Sequence, residues 1–279
     1  MRLLRPIEVR AKEFLWIASG PLTRIFHPAA AEFYAKFISG GYEPELLVNV
    51  LPLHKLLYVA LPKAASTRIR QTLARIAGRY IISLKPSRRS RYRGPHGPRS
   101  MTKGAFFRLA TDADTLRFSF VRNPYARVVS CWADKFRGKP LVPGDPLINA
   151  YLAVRRDLAA GLPAGADHSL PFPAFVLFAE AAAQRRYDIH VQAQDDILSV
   201  PGIRLDLTGK VESFAQDFAL VLDHVGASDA VRREALIPMN ESRHDPWSAY
   251  YTAELADRIY RAYERDFDRF RYPRAIAPD

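Results

Sequence analysis

The sequence predicts a single α/β domain built on a parallel sheet with helices on both faces, and three observations predict it. Leu56–Leu61 is an unbroken apolar run of strand length, as expected of a strand buried on both sides. Leu116–Val121 is a second strand pattern, ending at Arg122. Each run gives way to a helical pattern within a few residues, and alternation of strand and helix is the pattern that parallel pairing produces.

Residues 1–54 are expected to form a helical extension, residues 55–273 the main domain and residues 274–279 a tail. Within the extension, Phe14–Gly20 is apolar but far shorter than the ~20 residues of a membrane-spanning helix. It follows Arg2, Arg5, Arg10 and Lys12 and is interrupted by Pro21 and Arg24, so it reads as a peripheral helix. Association with a membrane surface is the other reading. Pro62 ends the first strand. Ser66 or Thr67 then opens a helix whose Ile69, Leu73, Ile76 and Ala77 share one face, with Gly78 as its stop. Lys85–Lys103, rich in Arg, Pro, Gly and Ser, reads as a loop. After the second strand, Asn123 suits an N-cap and Pro124 the first helical position. Val128, Trp132 and Phe136 follow along one face. Residues 138–173 are irregular apart from a short helix near Tyr151–Leu158. A helix over Ala174–Arg185, a strand over Ile203–Thr208 and a helix over Phe214–Val225 come next. A last helix over Ala253–Phe270 aligns Leu255, Ile259, Tyr263 and Phe267.

The chain has 279 residues, enough to bury a large core, and its 48% hydrophobic and 25% charged content is that of a globular protein. A single cysteine, Cys131, excludes an internal disulfide framework and a cysteine zinc cluster and fits a reducing compartment. The net charge of +12 points to an anionic partner such as a nucleotide, nucleic acid, acidic glycan or membrane face. A compositional bias toward Arg explains it equally well.

Two segments carry chemistry. In Leu61-Pro-Lys-Ala-Ala-Ser-Thr67 a strand turns tightly into a helix, so free N–H groups and the helix dipole face one point. Pro62 and Lys63 open the turn, small Ala64 and Ala65 allow close backbone approach, and Ser66 and Thr67 add hydroxyls. The GxxxxGK[ST] phosphate loop is absent, which argues against an ordinary ATPase or GTPase. In the second segment Arg122 stands at the C-terminal end of a strand, where open α/β sheets bind ligands. With Ser130 about two turns into the next helix it makes a phosphate clamp. The competing reading pairs Arg122 with a carboxylate and packs Ser130 within its helix.

Together these segments resemble the two nucleotide-binding motifs of the sulfotransferases that use 3′-phosphoadenosine-5′-phosphosulfate (PAPS), in particular the carbohydrate branch that includes the chondroitin and dermatan enzymes and their bacterial relatives. Arg122-Asn-Pro-Tyr-Ala-Arg-Val-Val-Ser130, continued by Asp134-Lys135-Phe136, is similar to that branch's R(D/N)PxxRxxSxxxxKF motif, and Pro62–Thr67 to its PKxxxT loop. Asp188–Gln194 resembles an HWxPQ stretch, with Val191 and Ala193 replacing the tryptophan and proline. Gly209–Glu212 resembles GKxE, and Asn240–Ser242 and Tyr263–Phe267 resemble the closing motifs. The likeness runs over about residues 55–273. Ala64 and Ala65 depart from the glycine that the family's loop often carries.

The resemblance implies a P-loop-NTPase-like fold and transfer of a sulfuryl group from PAPS to a carbohydrate or glycolipid hydroxyl. The product would be adenosine 3′,5′-bisphosphate, and no metal is required. Lys63, Ser66 and Thr67 would hold the 5′-phosphosulfate, and Arg122 and Ser130 the 3′-phosphate. His96, between the two motifs, is the first candidate for the base and His190 the second. Glu212 is a third candidate that more simply fills a structural pair. Beside His96, Arg88, Arg89, Arg91, Arg93 and Arg99 either guide an anionic acceptor or form a solvated loop. A cytoplasmic setting is expected. The weaker alternatives are an atypical P-loop kinase or NTPase and a basic nucleic-acid-binding domain; no nucleic-acid partner is expected, since no nucleic-acid-binding motif is present.

Overall fold

The computed structural model describes residues 25, 28–39, 47–78, 97–139, 141, 143–157, 170–185, 188–199, 202–237 and 245–276. Most of the basic loop, His96 and Asn240–Ser242 lie outside the described residues. The strands are β1 (Val48–Leu51), β2 (Leu56–Val59), β3 (Leu116–Val121) and β4 (Leu207–Lys210), and they form one sheet in that order. In the first half the helices are α1 (Pro28–Ser39), α2 (Ser66–Ile76), α3 (Lys103–Thr111), α4 (Pro124–Lys135) and α5 (Pro146–Asp157). The second half holds α6 (Phe172–Arg185), α7 (Gln194–Leu198), α8 (Phe214–His224), α9 (Asp229–Ala235), α10 (Ala253–Ala262) and α11 (Glu264–Phe270).

β2, β3 and β4 are parallel, but β1 runs antiparallel to β2, with Val48 opposite Val59 and Leu51 opposite Leu56. The expected parallel sheet is therefore mixed. The link between β1 and β2 is a single 3₁₀ turn, Pro52–His54, closed by Lys55 in the left-handed conformation (φ 44°). So short a link returns a strand only antiparallel. Sequence periodicity missed β1 because Asn49 interrupts its four residues; the amide is buried and donates to the Leu47 carbonyl at 3.3 Å. The sheet thus begins ahead of residue 55.

The central strands are buried on both faces. Leu56, Tyr58, Phe118 and Phe120 pack with Ile69 and Leu73 of α2 and Phe214 and Phe218 of α8. On the other face Leu57, Val59 and Val121 pack with Phe106 and Leu109 of α3, Phe33 of α1 and Ile197 of α7. Successive strand residues alternate between the two layers, which is why the runs are apolar throughout. Ser119, fully buried in β3, donates its hydroxyl to the Val59 carbonyl at 2.7 Å and so avoids an unpaired polar group. A third cluster is helical, with Val128 and Val129 of α4 and its C-cap Phe136 against Tyr151 of α5, Phe175 and Phe178 of α6 and Ile259 of α10.

Three expected elements shift. The short helix read near Tyr151–Leu158 begins earlier, as α5 at Pro146. The strand read at Ile203–Thr208 lies at Leu207–Lys210. Ahead of it, the Asp206 carboxylate takes the Arg117 N–H (2.9 Å) and its guanidinium (2.7 and 2.9 Å), while the Asp206 N–H donates to the Arg117 carbonyl at 2.7 Å. The long last helix breaks at Tyr263 (φ −123°, ψ 24°), whose buried ring sends its hydroxyl to the Val191 carbonyl at 2.5 Å.

Gly209 in β4 leaves no room for a side chain. An added Cβ would lie 2.6 Å from Phe120 Cζ and 3.0 Å from Asp217 Cβ. Gly209→Ala should therefore destabilise the protein by about 1–3 kcal/mol, seen as a lower urea midpoint with an unchanged slope.

Candidate active site

The parallel strands share one C-terminal edge. Val59 is level with Ser119, and Val121 with Lys210, so the segments that follow β2, β3 and β4 emerge side by side. After β2 the chain passes through Pro62–Ala65 into α2. Lys63 (φ 67°) and Ala65 (φ 57°) are left-handed. Each such residue costs roughly 1–2 kcal/mol when it is not glycine, so the surroundings hold this turn against its local preference. Ala64, fully buried between them, has a side chain small enough to sit against the core. Left-handed residues within a turn aim successive N–H groups into one concavity, and the first N–H groups of α2 extend it. Ala65, as N-cap, offers no side-chain acceptor, and Ser66 and Thr67 place hydroxyls on the first turn.

Lys63 is 13% exposed and pairs with Asp134 near the end of α4. Burial pushes the Asp134 carboxyl upward, but Lys63, Lys135 and Lys139 together hold it below its ordinary value of 3.8.

After β3, Arg122 is fixed through its backbone. Its N–H donates to Gln194 Oε1 at 2.9 Å, and its carbonyl accepts from Gln194 Nε2 at 2.8 Å. A buried amide side chain thus takes the place of a ladder partner. Asn123 caps α4, accepting from the Tyr125 N–H at 2.9 Å. The Asn123 N–H donates to Glu212 Oε1 at 2.8 Å. Glu212 Oε2 accepts from the Tyr272 hydroxyl at 3.0 Å, which fits the structural reading of this carboxylate. Burial and then the Glu212 charge push the Tyr272 phenol up, so it stays a donor. Ser130 is buried on α4, about two turns beyond the cap.

Arg127, 1% exposed on α4, joins two loops. Its guanidinium donates to the carbonyls of Pro62 (3.2 Å), Gln192 (2.8 Å) and Ile189 (3.0 Å). Through the Pro62 and Ile189 carbonyls it brings the Lys63 turn and the His190 segment to one group. His190 is held by Asp188, whose Oδ1 accepts the His190 N–H at 2.8 Å and lies 2.7 Å from Nδ1. A carboxylate only accepts, so Nδ1 carries a proton, and in the neutral imidazole the lone pair is on Nε2. Cys131 lies beneath this edge. Burial pushes its thiol up to about 11, and it feels the charges of Lys63, Arg127, Asp188 and Asp134.

Of the residues singled out from sequence, Lys63, Ser66, Thr67, Arg122 and His190 thus gather about one sheet edge, with Ser130 inside the helix beside them. His96 lies outside the described residues. Sequence reasoning did not assign roles to Arg127, Asp134, Asp188, Gln194 or Asp266. The spacing of Asp188 two residues ahead of His190 was the available signal for that pair. A cleft of about 600 Å³ between Tyr125, Tyr251, Asp257 and Arg274 contains none of the edge residues. Among the described residues no cluster of His, Cys, Asp or Glu is placed to hold a metal ion, and no helix is long and apolar enough to cross a membrane.

A strand-to-helix turn carrying Lys63 stands beside Arg122 and the start of α4 on one edge of an α/β sheet, an arrangement suited to an anionic ligand. Residues 47–273 match a model of the sulfotransferase family, and the chain belongs to that family. It is similar to human carbohydrate sulfotransferase 8, at 25% identity over 272 residues that cover 91% of this chain and 62% of the relative. The chain therefore spans less than two thirds of that relative's length. No solved structure matches it.

The lowered Asp134 carboxyl has a consequence for stability. A carboxyl held below its unfolded value stabilises the fold above that value and loses the contribution as pH falls through the folded one. Asp134→Asn should flatten the acid limb of the stability curve below about pH 4, measured by urea unfolding across the acid range.

Proposed function

We propose that this protein transfers a sulfuryl group from PAPS to a hydroxyl of a carbohydrate or glycan-bearing acceptor and releases adenosine 3′,5′-bisphosphate. The observation that carries the reading is the left-handed Lys63–Ala65 turn set level with Arg122, in a chain of the sulfotransferase family. The resemblance of the similar human protein, named for carbohydrate sulfation, supports the acceptor class.

PAPS supplies an activated sulfuryl group whose transfer leaves a phosphate anion. The N–H groups of Lys63–Thr67 and the hydroxyls of Ser66 and Thr67 are suited to bind the 5′-phosphosulfate. Lys63 stabilises the charge that grows on the departing phosphate oxygen. Arg122 and Ser130 bind the 3′-phosphate, the guanidinium by a forked, charge-assisted contact. His190 removes the acceptor proton at Nε2, with Asp188 fixing its tautomer and orientation. That supported imidazole is the reason for placing the base at His190; His96 lies outside the described residues.

Titration calorimetry tests the cofactor. Adenosine 3′,5′-bisphosphate should bind at least ~10-fold more tightly than ADP, and Arg122→Ala should remove about 1.5–3 kcal/mol of that affinity. Equal affinities would sink the reading. For the base, His190→Ala should lower kcat by about 10²–10⁴-fold and leave nucleotide affinity unchanged. Normal turnover in His190→Ala with loss in His96→Ala would return the role to His96.

A further inference from the structure

Arg127 is a buried cation that the proposed chemistry does not touch. Among the described residues its three hydrogen bonds go to backbone carbonyls, and two of those carbonyls have special places in the chain. The Pro62 carbonyl belongs to the peptide plane that leads into Lys63, and the Ile189 carbonyl to the plane that leads into His190. One rigid guanidinium therefore holds the two peptide planes from which the candidate leaving-group stabiliser and the candidate base project. Lys63 is also left-handed, a conformation that a free turn would not keep for lysine.

We propose that Arg127 is a positioning residue that sets the separation and aim of Lys63 relative to His190, a role that rests on the functional reading above. In-line transfer needs the attacking and leaving oxygens aligned, and a misplacement of about 1 Å costs on the order of 10²-fold in rate. A planar fork with five donors meets three carbonyls at fixed angles, whereas a lysine ammonium is a point charge on a flexible stem. Charge alone does not replace it. The third tie, to the Gln192 carbonyl, extends the hold along the residues that follow His190.

Arg127→Lys is the test, since it keeps the charge and loses the fork. Three quantities are compared with the wild type: transfer of label from PAPS to a panel of carbohydrate acceptors, affinity for adenosine 3′,5′-bisphosphate, and amide exchange. The expected result is a kcat lower by about 10²-fold, with a clearly smaller loss of nucleotide affinity, ~10-fold at most, because the loosened Lys63 turn holds the 5′ end while the 3′-phosphate contacts at Arg122 and Ser130 do not depend on the fork. Amide exchange should quicken in Lys63–Ser66 and Ile189–Gln192 and stay unchanged in β2 and β3. Wild-type kcat in Arg127→Lys overturns the proposal. A uniform rise in exchange with equal losses of affinity and kcat also overturns it, as the mark of a residue that only supports the fold. If Arg127→Lys does not fold, Arg127→Ala with millimolar guanidinium provides the second measurement. Recovery of local protection and turnover supports the proposal, and failure of both variants to fold counts against it. A wild type that moves no label to any acceptor sinks the functional reading instead. The exchange pattern then decides alone whether Arg127 governs the two loops.

Discussion

Buried backbone N–H and C=O groups must find partners, and at the C-terminal edge of this sheet the partners are side chains. Residues 188–195 run past the strand ends without joining the ladder. Arg127 takes the Ile189 and Gln192 carbonyls, and Tyr263 takes that of Val191. Asp266, fully buried, accepts the N–H groups of Gln194 (2.9 Å) and Asp195 (2.7 Å), while the Gln194 amide closes on Arg122. Loss of one partner leaves a buried group unpaired, at about 1–3 kcal/mol. This satisfaction of polar groups orders the loops of the site together with the apolar packing of Ala64, Val191 and Ala193.

The same network holds charge in a defined arrangement. Arg127 and Asp266 lie close enough to influence each other. Burial raises the Asp266 carboxyl, and the Asp195 N–H, Arg127 and Gln194 counter it. Further out, Lys63 meets Asp134, and Lys135 meets Asp145 at 3.4 Å, so cations and carboxylates alternate along the end of α4. Such an edge presents a lysine whose position is set by geometry on both sides: the left-handed backbone of its turn and the carboxylate at its tip.

Much of the fold was legible because the central strands and α4 carry strong local signals. The β3 boundaries read from Leu116–Val121 match the observed strand, and Asn123 with Pro124 marks the start of α4 through its cap chemistry. The antiparallel β1 was not legible, since four residues interrupted by Asn49 carry too little periodicity. Nor was the break at Tyr263, where a tertiary hydrogen bond overrides a continuous helical pattern. In the site, the turn and the Arg122 strand end were readable from local chemistry. The roles of Arg127, Gln194 and Asp266 were not, because each acts on backbone far away in sequence, with 65 positions between Arg127 and Pro62 and 72 between Asp266 and Gln194. Sequence patterns report side chains that face a local partner and are silent about contacts of that span.

The break at Tyr263 also orders events during synthesis. β1 and β2 pair across a single turn and can form while the chain is still emerging, whereas Leu56 of β2 must wait for Leu116 and Phe118 of β3 for Leu207. The 188–195 segment cannot settle then, because Tyr263 and Asp266, which hold Val191, Gln194 and Asp195, are made about 70 residues later. Until they dock, the residues flanking His190 carry unpaired backbone groups and the Lys63 turn lacks a settled neighbour. Contacts of this separation slow folding, since the closure cost rises with the logarithm of loop length. The β1–β2 hairpin is therefore an early product of translation, whereas the sheet closes only with β4 and the 188–195 segment settles only once Tyr263 and Asp266 are made.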